Sequence, residues 1–61
     1  MNSKTLKLLL KSQRNEISEH HIYKKLAAIE KNAQNRSVLE KIADDELSHY
    51  HVWKKFTDTE V

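Results

Sequence analysis

No glycine and no proline occurs anywhere in the 61 residues of this chain. Those residues punctuate hairpin turns and the loops that cradle phosphates, so Gly-rich phosphate-binding loops and tight two-residue strand turns are excluded. Lys, Glu, Leu and Ala spread evenly along the chain then read as helix throughout. Size adds a second constraint. A chain this short buries only about 60% of the surface its unfolded form exposes, so it needs disulfides, a metal or a partner. There is no cysteine. Disulfides, zinc fingers, iron–sulfur clusters and thiol catalysis go with it, leaving a metal held by histidine and carboxylate, oligomerisation, or both.

Charge narrows the partners. Eleven basic side chains against nine acidic ones leave a net +2, too little to argue for nucleic acid, and no aromatics alternate with the basic residues as a stacking surface requires. Residues 1–14 carry Lys4, Lys7, Lys11 and Arg14 with Leu6, Leu8, Leu9 and Leu10 and no acid, a composition shared by transit peptides and membrane-surface helices. Three consecutive leucines fall far short of a membrane span, however, and the helical register continues unbroken. The segment reads as the first turns of a long helix, with no membrane insertion expected. A cytoplasmic location is expected, either as a whole protein or as a cytosolic domain of a membrane protein.

At helical spacing, Leu9, Gln13, Glu16, His20, Tyr23, Ala27 and Glu30 form a heptad seam. Leu6, Leu10 and Ile17 flank it on one side and Ile22, Leu26, Ile29 and Ala33 on the other. Leu39, Ile42, Glu46, His49, Trp53 and Phe56 form a second seam, widened by Val38, Ala43, Leu47 and Tyr50. Cap-forming residues cluster only at 32–37, with Asn35 or Ser37 as the N-cap. The expectation is all-α: a single half-bundle domain over 1–61, with helix 1 about 3–32, a turn at 33–36, helix 2 about 37–57, and Asp58 to Val61 frayed. Helices of about 45 and 33 Å are long for a chain in which each has one partner. A lone antiparallel hairpin leaves both stripes wet, and dimerisation into a four-helix bundle covers them.

Ionisable groups interrupt both seams. Burying an unpaired carboxylate costs several kcal/mol, so Glu16 and His20 on the first stripe, and Glu46 and His49 on the second, need compensation. Glu46-Leu47-Ser48-His49 is a Glu-x-x-His pair, whose i, i+3 spacing puts carboxylate and imidazole on one face a turn apart. Counted from the turn, Glu16 lies at a similar level of the hairpin. A lone Glu and a Glu-x-x-His are half of the carboxylate-bridged dinuclear site of four-helix bundles. Two chains complete the list, with four carboxylates and two imidazoles, and two divalent cations cancel the −4. Mixed oxygen and nitrogen donors suit Fe, Mn or Zn.

Around this set, Tyr23 is either a hydrogen-bond donor to a ligand carboxylate or a plain core aromatic. His20 is an additional ligand or a structural histidine, and Glu19 and His21 guide cations or are solvated. Asp45 orients the His49 ring or is surface charge. Gln13 reads as a polar spacer, and Leu39, Ile42, Trp53 and Phe56 read as core.

Residues 13–19 (Gln-Arg-Asn-Glu-Ile-Ser-Glu), 22–27 (Ile-Tyr-Lys-Lys-Leu-Ala) and 44–53 (Asp-Asp-Glu-Leu-Ser-His-Tyr-His-Val-Trp) together resemble a rubrerythrin-like domain of the ferritin-like superfamily. The similarity, over about residues 10–57, is greatest to the first helix pair of rubrerythrin-like domains that precede a vacuolar-iron-transporter-type membrane domain. The chain lacks the second helix pair and the cysteine-rich module of full rubrerythrins. The resemblance therefore implies either a homodimer or higher homo-oligomer, like the two-helix ferritins housed in encapsulins, or a fragment of a longer protein. It implies two Fe ions per dimer on Glu16, Glu46 and His49, with dioxygen or peroxide as substrate in ferroxidase or peroxide-reducing chemistry related to iron storage or oxidative stress. The alternative is a non-catalytic iron-sensing, iron-collecting or assembly hairpin.

Overall fold

A computed structural model describes residues 2–61. Helix α1 spans Ser3–Ile29 and helix α2 spans Ala33–Thr57. They pack antiparallel along their length, and no strand occurs among the described residues. The uninterrupted helical composition thus forms two helices, as expected, but the turn falls earlier and is shorter. Between the helices only residues 30–32 lie outside helix, and Asn32 is the N-cap of α2, accepting from the Asn35 backbone N–H at 3.0 Å through Oδ1. Asn35 and Ser37 both lie inside α2.

The earlier cap wins because the turn satisfies both helix ends at once. The Glu30 carboxylate accepts from the Asn32 N–H at 3.0 Å, while Arg36 reaches back to donate to the Glu30 and Lys31 carbonyls. At the far ends, Asn2 caps α1 through the Thr5 N–H at 2.8 Å, and α2 ends at Asp58 in the left-handed region, φ 51° and ψ 35°.

The α1 seam faces inward at every expected position, with Gln13 and Ala27 buried and Leu9, Glu16, His20, Tyr23 and Glu30 half-buried. The α2 seam is rotated by one residue from the expected line. Its buried positions are Ala43, Tyr50 and Thr57, which join the half-buried Leu39, Glu46 and Trp53. Both lines step by threes and fours and share 39, 46 and 53. Ala43, with no exposed surface, and Ala27 let the backbones approach closely, whereas Ile42 in that place would hold them apart. Phe56, expected in the core, is therefore 61% exposed, while the neighbouring Thr57 is buried.

The result is a rod of 46 × 13 × 13 Å. Its accessible surface is 4755 Å² for 7.2 kDa, against about 4,100 Å² for a compact monomer of that mass. The excess is largely apolar: Leu8, Ile22, Leu26, Ile29, Val38, Val52 and Phe56 all stand in solvent. No helix among the described residues is long and apolar enough to cross a membrane.

Candidate metal centre

Glu16 comes from the middle of α1, and Glu46 and His49 from consecutive turns of α2. The antiparallel register set by the three-residue turn brings one donor atom from each to within 4.8 Å of the others. His49 Nδ1 lies 3.3 Å from Glu16 Oε2. The Glu16 side chain is 23% exposed and that of His49 is 57% exposed, so the cluster opens sideways from the hairpin rather than sitting between its helices. Glu16 and His49 form the wall of a shallow pocket of about 290 Å³, completed by Val52 and Trp53.

Glu46 is the unsettled member. Its Oε2 is buried and has no hydrogen-bond partner among the described residues, and a buried oxygen without a donor costs about 1–3 kcal/mol. Besides Glu16 and His49, a further acid, Glu19, interacts with it. Two carboxylates offer no donor between them, so only a proton on Glu19 makes a bond to Glu46. That bond, then the like charge of Glu46 and a little burial, raise the Glu19 carboxyl above its ordinary value of 4.5. A buried oxygen without a hydrogen-bond partner among the described residues, grouped with donor atoms of Glu16 and His49, fits a cation better than an empty cluster.

A pH dependence follows. Because the folded chain holds the Glu19 proton more tightly than the unfolded chain does, the contribution of Glu19 to stability is fully present below about pH 4.5 and is lost as pH rises through the raised folded value. Glu60 runs oppositely: Lys54 holds its carboxyl below 4.5, so its contribution is present above that value and is lost as pH falls through the lowered one. Thermal melts of metal-free wild type and Glu19→Gln should therefore agree near pH 4 and separate toward pH 7, with the variant the more stable. Curves that stay parallel would show that Glu19 and Glu46 do not meet.

The other candidates fall into place individually. His20 is not turned toward the donors. Its Nδ1 donates to the Ala43 carbonyl at 2.6 Å, tethering α1 to α2, which is the structural role. Tyr23 is half-buried two turns from Glu16, and no hydrogen bond joins it to Glu16 or Glu46 among the described residues. Asp45 is exposed, in keeping with its reading as surface charge, and His49 Nδ1 faces Glu16. His21 is also exposed, packing edge-on against His20.

Two features went unread in the sequence. Gln13 is the largest fully buried side chain, hydrogen-bonded to the segment after α2, so residues 58–61 have a core partner and are not merely frayed. Val52 lines the pocket, and its place one turn after His49 was the available signal. Compared with protein families, with curated proteins and with solved structures, the chain matches none.

Proposed function

We propose that two hairpins pair through their pocket faces into a four-helix bundle, and that Glu16, Glu46 and His49 of each chain then enclose a dinuclear metal centre, with iron as the metal. The observation that carries this reading is the buried, partnerless Glu46 Oε2 within a set of three converging donors. Three donors from one chain fill only part of a transition metal's coordination shell, and a second copy brings three more. The apolar surroundings agree with that docking. Val52 and Trp53 line the pocket, and Phe56 lies beside Trp53 with ring centroids 6.4 Å apart. Val38, eleven residues before His49, shares its helix flank.

In such a bundle each residue has a task. The Glu46 carboxylates, each with a buried oxygen, would be shared between the metals. Glu16 and the exposed His49 ring would hold one metal each, and the Trp53 and Val52 side chains that line the opening would keep bulk water from it. Two ferrous ions bound there would supply two electrons, enough, with two protons from solvent, to reduce dioxygen to hydrogen peroxide or peroxide to water. Resemblance to rubrerythrin-like and ferritin-like proteins is the reason for preferring iron and this chemistry.

Anaerobic addition of ferrous iron followed by air tests the reading. It should give oxidation saturating at two irons per dimer, with sedimentation showing the dimer under the same conditions. A chain that stays monomeric with metal, or retains none, would sink the composite site. Tight binding of two irons without oxidation would instead establish an iron-collecting or sensing hairpin.

A further inference from the structure

Glu16 lies between two tethers that tie α1 to the rest of the chain, and only one of them is made by the body of α2. On the turn side, His20 donates to the Ala43 carbonyl at 2.6 Å. On the open side, one turn before Glu16, stands Gln13, with no exposed surface. An amide buried there must have both ends satisfied, since each orphaned group costs about 1–3 kcal/mol. Its Oε1 accepts from the Thr57 hydroxyl at 2.5 Å, and its Nε2 donates to the Thr59 carbonyl.

The second of these bonds exists only because the chain doubles back after α2. Asp58 makes the reversal in the left-handed region, its N–H bonded to the Lys54 carbonyl at 2.8 Å. The reversed segment is then held twice more, by Thr59 Oγ1 donating to the Thr57 carbonyl at 3.0 Å and by the Lys54 to Glu60 ion pair at 2.7 Å.

We infer that residues 57–59 are a buckle that positions Glu16: by occupying both ends of the Gln13 amide, they hold the Glu16 turn of α1 close enough to α2 for its carboxylate to join Glu46 and His49. This rests on the metal-site reading and adds a residue set that touches no metal. Without the reversal the Gln13 amide loses its Thr59 partner and keeps only the Thr57 hydroxyl, so the Glu16 turn is held less closely to α2 and its carboxylate must be brought in at the expense of binding free energy.

Asp58 allows a clean test. Proline cannot adopt a positive φ and has no N–H to give Lys54, so Asp58→Pro undoes the reversal, whereas glycine favours it. Co(II) binding by the full chain is the readout, with helicity monitored by circular dichroism. Asp58→Pro should weaken Co(II) about tenfold or more, the range found for residues that orient ligands, while Asp58→Gly binds as the wild type does. If Asp58→Pro melts, Thr57→Val, which keeps shape and loses the donor, carries the comparison. In a Glu16→Ala background the Asp58→Pro change should add nothing, because the buckle acts through Glu16. Undiminished affinity in Asp58→Pro, or an equal loss with and without Glu16, overturns the buckle. A wild-type chain that binds no Co(II) removes the metal site itself, and the buckle's role with it.

Discussion

Glu46→Gln is expected to abolish metal binding and to make the metal-free chain more stable. The two effects have one origin. Glu46 carries the buried oxygen without a donor and faces the Glu19 carboxyl, so in the absence of a cation it is a liability. The amide replaces one oxygen with a donor that Glu19 can accept, removing a like-charge contact while keeping shape. The gain is that of one satisfied bond in place of a like-charge contact, and it is read as a higher melting temperature of the metal-free chain. Binding moves the other way. Residues that merely orient ligands are worth about 10–100-fold in affinity, so loss of a charged donor should exceed the upper figure. Calorimetric titration with Co(II) or Fe(II) reads the first effect and thermal melts of the apo chain the second. A variant that melts lower than the wild type would mean that Glu46 is already well satisfied in the hairpin, and the chief physical argument for a cation there would go.

Phe56→Asp should produce a monomer. Phe56 is 61% exposed beside Trp53 in the single hairpin, and full burial of such a side chain is worth about 1.5–3 kcal/mol. In a symmetric dimer the residue occurs twice, so the loss is doubled, and the aspartate adds a charge to be desolvated at each copy. The dimer dissociation constant should rise by about 100-fold or more, visible by sedimentation as a chain of half the mass. Because Phe56 lies outside the hairpin's own core, the helicity of the variant should match that of the wild type. Metal affinity should then fall as well, although no donor has been touched, since each monomer keeps only three. A Phe56→Asp dimer of undiminished strength would place the docking face elsewhere.

What the sequence made legible, and what it hid, divide along the two helices. The α1 seam was readable because its inward positions include Leu9, Tyr23 and Ala27 at unambiguous heptad spacing, and all seven face inward. On α2, apolar content argued for Ile42, which is half-buried, and Phe56, which is exposed, but close approach of two helices selects the small Ala43, and Thr57 is acceptable inside because Gln13 bonds its hydroxyl. Hydrophobicity alone does not distinguish a residue turned to its own hairpin from one turned outward. Convergence of Glu16, Glu46 and His49 followed from register, which a short turn fixes. The turn's place did not, because Arg36 and Glu30 satisfy one another's helix ends across it, a tertiary matter that cap preferences do not register. The Gln13 tether was hidden for the same reason, as its partners lie 44 and 46 residues away.

The three-residue turn also gives the molecule a direction in which to open. Capped from both sides, the turn end is the last part to separate, so thermal fluctuation unzips the rod from the termini inward. The tail comes away first, then the Glu16 level, while Ala27, Leu39 and the His20 to Ala43 bond still hold. Amide hydrogens of residues 3–16 and 49–57 should therefore exchange faster than those of 20–29 and 36–46. Glu16, Glu46 and His49 can thus be drawn apart and brought back together in a molecule that is still half closed, without the chain unfolding.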